Sequence, residues 1–188
     1  SKGKPLGAET AFQAQSVVHY YRALEQETPI PFEERILFQD DFIIAVDKPH
    51  FLPVMPAGKY LQETLLVRLK RKTGIDALTP MHRLDRETAG VMLFVIKPET
   101  RGAYQSMFMH KRVQKKYLAI APYLEQLPFP VTRKSRLQAS EHFMRMQEVT
   151  GAPNSETHIE LIEHRNGLGR FALRPVTGKK HQLRVHMA

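Results

Sequence analysis

The sequence predicts a chain that mixes helices and strands within one domain of catalytic size. Apolar runs of strand length recur along it, bounded by acidic residues, prolines or glycines. Three segments read as helices. Asn166-Gly167 sits between strand-like runs, the short-range signal of a hairpin.

Residues 1–34 mix small, polar and aromatic residues and are expected to form an N-terminal arm; within it VVHYYRALEQE offers a helical turn or two before the proline-rich TPIPFEE. The domain proper is placed at 35–188. DDFIIAVDKP predicts a buried strand from about Phe42 to Val46. ETLLVRLKRKTG spaces Leu65, Leu66 and Leu69 helically and predicts a helix from Gln62 to Thr73 stopped by Gly74. Its basic end, Arg68, Lys70, Arg71 and Lys72, is expected to face solvent or phosphate. VMLFVIKP predicts a second buried strand, and ETRGAYQSMFMHK a helix with Pro98 in its first turn.

VQKKYLAIAP alternates well enough for a strand, further strands are expected over Val131 to Glu148 and Glu156 to Glu163, and GRFALRPV closes the hairpin. Thr177 reads as the N-cap of a last helix, TGKKHQLRVHMA. Cations early in a helix oppose its dipole, so Lys179 and its neighbours are expected to meet a bound phosphate. The chain stops at Ala188 inside that segment, and the domain is expected to run on past it.

Lys plus Arg number 28 against 19 for Asp plus Glu, a formal charge of +9 among 188 residues, which makes a polyanion the natural partner. Basic runs at Arg68 to Lys72, Lys111 to Lys116, Arg133 to Arg136 and Lys179 to Arg184 favour nucleic acid over an anionic membrane surface. With no cysteine, disulfides, thiolate zinc sites and a thiol nucleophile are excluded. No run is long and apolar enough to span a bilayer, so no membrane partner is expected. A cytoplasmic monomer is the expectation.

The densest cluster is MHRLDRETAG, residues 81–90, with Asp85 between Arg83 and Arg86 and beside His82, directly before an apolar run. A carboxylate between cations keeps its proton off and offers an ionised oxygen as base or nucleophile, although surface ion networks look the same. Loops leading into buried strands are where rigid scaffolds carry working residues. HRLD resembles the kinase catalytic loop, but no glycine-rich phosphate loop precedes it and no DFG follows. Neither His82 with Asp85 nor His181 with His186 has a zincin spacing, so no metal is expected. TGKK lacks the upstream glycine of a phosphate loop, and Gly167 and Gly169 lack a third glycine for a dinucleotide fingerprint.

Three segments in order, HRLDRETAG, VQKKYLAIAP and RPVTGKKHQLRVHMA, resemble the catalytic, tyrosine and arginine segments of the RluA family of RNA pseudouridine synthases. The resemblance covers roughly residues 40–188. It implies an α+β fold on a bent, mixed, mainly antiparallel sheet with a cleft along it. It also implies isomerisation of specific uridines in structured ribosomal or transfer RNA after base flipping, with no cofactor and no metal. Carried over position by position, Asp85 matches the catalytic aspartate, which either attacks the ribose C1′ or assists loss of the C2′ proton. Tyr117 matches the tyrosine against the target base, Arg184 the arginine that pairs with the aspartate, Leu183 an apolar wall, and Arg83 the residue that fills the space left by the uridine. His82, Lys116, Thr177, Lys179 and His181 are expected to bind substrate beside them.

Ala89 departs from the serine usual in the family, and no S4-type RNA-binding domain is recognisable before residue 40. From another class, a basic RNA-binding module or assembly factor that kept the fold and lost turnover is the alternative. A DNA-directed glycosidase is a weaker one.

Overall fold

A computed structural model describes residues 5–12, 14–15, 17–18, 27–142 and 145–188. Most of VVHYYRALEQE lies outside the described residues. Two antiparallel sheets organise the rest, and every described strand pair is antiparallel.

The first sheet has β1 (Arg35–Gln39), β2 (Ile43–Lys48), β3 (Thr79–Pro80) and β4 (Gly90–Val95) in the order β1-β2-β4-β3. β2 fits the predicted strand and β4 the run VMLFVIKP. β1 and β3 escaped the sequence reading because β1 has no buried side chain and β3 is two residues long. Ile44 and Val46 of β2 and Met92 and Phe94 of β4 turn to one side and pack with Leu52, Val54, Leu65, Leu69 and Leu78 in the larger core. Helix α1 (Leu65–Thr73) supplies two of those leucines and closes at Gly74, which takes a left-handed φ of 70°. It begins three residues later than expected because Thr64, not a residue near Gln62, is its N-cap, accepting from the Val67 amide.

Pro98–Thr100 form a 3-10 turn that runs into α2 (Arg101–Met109), as the proline predicted. The second sheet then follows: β5 (Tyr117–Pro122), β6 (Val131–Ala139), β7 (Met146–Val149), β8 (Ser155–Arg165) and β9 (Leu168–Pro175), ordered β5-β9-β8-β6-β7. Asn166 and Gly167 make the β8–β9 hairpin turn with φ of 51° and 75°, both positive as that turn requires. Ile159, Phe171 and Leu173 form a smaller core on this sheet, joined by Tyr117 and Leu183.

The last helix is shorter than predicted. α3 spans Gln182–His186, and Thr177 is not its N-cap; residues 177–181 are a loop, with His181 itself in a left-handed conformation at φ 52°. A five-residue helix has little dipole to hold a phosphate, and Lys179 and Lys180 lie in the loop before it.

Arg68 also departs from expectation. Its guanidinium turns inward, donating to the carbonyls of Ile30 (2.7 Å) and Phe32 (2.7 Å) and to the carboxylates of Glu63 and Glu34. The Glu27 carboxylate accepts from the amides of Leu61, Gln62 and Glu63 at 2.7–2.8 Å, so residues 27–34 are strapped onto the start of α1. Helical spacing could not tell a phosphate-facing arginine from this clamp, because three of its four partners, Ile30, Phe32 and Glu34, lie more than thirty residues away. Arg68→Met is expected to lower the stability by roughly 3 kcal/mol, since it leaves two carboxylates and two carbonyls short of a donor. Urea unfolding measures the loss.

Candidate active site

Residues 81–89 connect β3 to β4. Met81 continues the pairing, its amide donating to the Leu93 carbonyl at 2.9 Å, and the Leu93 amide donates back to His82 Nε2 at 3.3 Å. His82 therefore carries its proton on Nδ1 when neutral. Its ring stacks on Phe108 of α2, 5.0 Å between centroids. Burial, and then the nearby Lys115 ammonium, push its pKa down to about 4. This ring braces β4 and the loop that carries Asp85, whereas the sequence reading gave it to the substrate.

After Leu84 the chain turns at Asp85–Thr88, closed by the Thr88 amide on the Asp85 carbonyl at 3.1 Å. Beneath the turn lies Lys48, fully buried, whose Nζ donates to the carbonyls of Pro49 (2.9 Å), Leu52 (2.8 Å) and Arg86 (3.1 Å). Burial pushes its pKa down to about 8, opposed by the charges of Glu87 and Asp85. It is an ammonium at neutral pH that fixes the turn from below. His50 fixes it from the side, donating from Nδ1 to the Glu87 carbonyl at 2.6 Å.

The turn presents two carboxylates to one guanidinium. Arg184 of α3 ion-pairs with Asp85 Oδ2 at 3.1 Å and donates to Glu87 Oε2 at 2.8 Å. Glu87 is held further by Arg86 at 3.0 Å. Burial pushes the Glu87 carboxyl up, but its own amide and the two arginines outweigh that and keep it below the usual carboxylate range. His181 Nε2 stands 3.9 Å from Asp85 Oδ1. The Asp85 side chain is 37% exposed and that of Arg184 47%, so the pair is reachable from solvent.

Arg184 is aimed by what lies on the other faces of its helix. Gln182 and His186, both buried and one turn apart, point into the second sheet. Gln182 accepts from Thr177 Oγ1 (2.8 Å) and from the Lys179 amide (3.0 Å), and donates to the Glu156 carbonyl and Thr157 Oγ1, each at 2.9 Å. His186 bridges Thr157 Oγ1 at 2.9 Å and Ser135 Oγ and Ser155 Oγ at 3.1 Å. Leu183 packs on the smaller core beside Tyr117. With those faces seated, Arg184 is left on the face toward the Asp85 turn. The Thr177 hydroxyl is taken up within this lattice, also accepting from the Glu156 amide at 2.9 Å.

Tyr117 opens β5 and is half-buried; burial, then the Asp85 charge, raise its pKa, so its phenol stays protonated. Strand alternation carries the same face back to Lys115, leaving Lys116 exposed. Lys115 is thus the lysine turned toward the site. Burial lowers its pKa, a side chain at Gly178 would come within 3.5 Å of its Nζ, and no carboxylate pairs with it among the described residues. Arg83, exposed, likewise has no ion pair among the described residues. Of the basic runs, Arg133 and Lys134 are paired with Glu148 (2.8 Å) and Glu156 (3.4 Å), so that run is an ordinary solvated face.

The RNA pseudouridylate synthase family model matches residues 41–188. The chain belongs to the RNA pseudouridylate synthase family. The tRNA pseudouridine synthase C of Haemophilus influenzae is 33% identical over 165 residues, covering 81% of this chain and 69% of that protein. The ribosomal large subunit pseudouridine synthase C of Haemophilus ducreyi is 31% identical over 159 residues, covering 82% and 49%. Among solved structures, human RNA pseudouridylate synthase domain containing 4 superposes with a TM-score of 0.64 at 28% identity, covering 80% of this chain and 62% of that one. The chain thus spans about half to two thirds of the length of these relatives. The RluA resemblance and the α+β class read from the three segments hold.

Among the described residues there is no group of three or more His, Asp or Glu side chains that could hold a metal, and no helix long and apolar enough to cross a membrane. Lys48 and Glu87 are the site residues that sequence reasoning passed over. Glu87 lay in plain view two positions after Asp85, but its claim on Arg184 depends on α3 docking.

His82 sets a pH dependence. Its folded pKa lies below the unfolded value, so its contribution to stability is complete above about pH 6.5 and is lost as pH falls toward 4. His186, also depressed by burial, acts in the same direction. His82→Gln should remove the larger share of the stability lost between pH 6.5 and 4.5, a window above the titration of the depressed carboxylates. Urea midpoints of wild type and variant across that range check it.

Proposed function

We propose that the protein isomerises specific uridines of structured transfer or ribosomal RNA to pseudouridine, with Asp85, Arg184 and Tyr117 as the reacting set. The observation that carries this reading is the Arg184 guanidinium, brought from the far end of the chain to within 3.1 Å of Asp85 on the turn between β3 and β4.

The reaction breaks the N1–C1′ bond and makes a C5–C1′ bond, while C5 loses a proton and N1 gains one. An ionised Asp85 is what either route requires, whether its oxygen attacks C1′ or draws the C2′ proton. Arg184 meets both Asp85 and Glu87 through one guanidinium nitrogen, which holds it against the turn. Once RNA covers the cleft and excludes water, the same pair becomes stronger. Tyr117, with a pKa raised above that of a free phenol, is unsuited to act as a standing base and supports instead a role as the surface on which the base lies.

The uridine must leave its stack to reach the site, at a cost of a few kcal/mol. Arg83, exposed at the entrance and free of ion pairs among the described residues, suits the gap it leaves. Lys115, Lys179 and His181 line the approach and suit the phosphates of the flipped nucleotide. A cytoplasmic location follows from the substrate proposed.

Asp85→Asn should abolish tritium release from 5-tritiated uridine in bulk transfer and ribosomal RNA while holding RNA affinity within about tenfold, roughly 1.4 kcal/mol. Conversion at the wild-type rate would remove Asp85 from the chemistry. Binding without any conversion by wild type would favour the turnover-free RNA-binding module. Lys115→Met should weaken RNA binding and reduce the salt slope by about 0.7 to 0.9, the share of one phosphate, with little change in kcat; filter binding across a salt series measures it.

A further inference from the structure

The far side of the Asp85 turn carries an aromatic cleft that the chemistry above does not use. Its volume is about 350 Å³, and its lining includes Phe32, Glu33, Asp47, His50, Phe51 and Ala89. Phe32 and Phe51 are about half exposed, at 47% and 51%, with ring centroids 6.1 Å apart; His50 and Phe51 are 5.9 Å apart. Exposed aromatic rings gathered at one place are unusual on a surface that has a core available to bury them.

Phe51 is held there against its backbone preference. Its φ is 66°, a left-handed value that bulky side chains avoid and that costs roughly 1 to 3 kcal/mol where it persists. A ring whose burial is only half complete does not repay such strain through packing. Strain of this kind collects at ligand clamps. The cleft is also rigidly tied to the catalytic turn, because His50 Nδ1 donates to the Glu87 carbonyl at 2.6 Å and Ala89 lies four residues after Asp85.

We propose that Phe32, His50 and Phe51 form a stacking platform for an unpaired base of the RNA substrate beside the flipped uridine. The polar lining narrows the choice. Glu33 and Asp47 are acceptors only, and Glu33 has no hydrogen bond or ion pair to its carboxylate among the described residues, while Asp47 faces Arg35 at 3.7 Å. Carboxylates repel phosphate but accept from exocyclic amino groups, so the site favours adenine, guanine or cytosine over uracil. The inference rests on the RNA-directed reading above and adds a subsite to it.

Three synthetic RNA heptamers test it by fluorescence anisotropy: AAAUAAA, UUUUUUU, and AAAUAAA with abasic residues in place of the flanking adenosines. Wild type should bind AAAUAAA tightest. Phe51→Asn and Phe32→Ala should each weaken AAAUAAA about five- to 150-fold, the range of one lost base stack, and leave the abasic heptamer unchanged. Because asparagine tolerates the left-handed conformation, Phe51→Asn should also leave the thermal midpoint unchanged or raise it. Glu33→Ala should narrow the preference for AAAUAAA over UUUUUUU. Unchanged affinity for AAAUAAA in both aromatic variants, or an equal loss on the abasic heptamer, overturns the proposal. Tritium release by the wild type on bulk RNA is read separately, so failure of the catalytic reading and failure of the platform give different results.

Discussion

One guanidinium joins the two halves of this molecule at the point where chemistry is proposed. Asp85 and Glu87 stand on a turn of the first sheet, and Arg184 on a short helix seated on the second. The contact spans about a hundred residues of sequence, so it exists only if both sheets are formed and correctly placed. Two carboxylates share one arginine, which leaves the turn with a fixed orientation rather than a single swinging ion pair. Since the groups are part-exposed, the energy of the pair is modest before RNA arrives, and its main effect in the free protein is geometric.

Both partners are positioned by buried polar groups rather than by apolar packing alone. Lys48 satisfies three carbonyls beneath the turn, and the Gln182 and His186 lattice satisfies a run of hydroxyls and backbone groups behind α3. Such groups tolerate few alternative arrangements, because each unpaired polar atom in the interior is expensive. A non-directional apolar contact would allow the turn or the helix to slide by an ångström. Hydrogen-bonded lattices do not, and an active site shared by two sheets needs that precision.

The strands that alternate or run apolar were legible: β2, β4, β5, β8 and β9 lie close to where the pattern placed them, and the Asn166-Gly167 turn carries the positive φ values its residues favour. Elements without such a signal were missed. β1 has only Ile36 partly buried, β3 is two residues long, and α3 starts late because the Thr177 hydroxyl is engaged with Gln182 and Glu156 rather than with a helix amide. Arg68 read as a solvent or phosphate cation and is a clamp; Lys116 was named where Lys115, on the face of Tyr117, turns inward. In each case local spacing described the residue correctly, and a distant partner decided its use.

The amino-acid order by itself determined the chemical class of this protein. Its three segments carried the resemblance to the family, and its excess of cations pointed to a nucleic acid as partner, because both are properties of residue type and local order. Only the tertiary structure decided which groups do it together. That Arg184 divides itself between Asp85 and Glu87, that His82 turns inward, and that Phe51 is strained beside the same turn all depend on contacts between segments far apart in the chain. Such contacts follow from how sheets and helices pack, and no short window of sequence contains them.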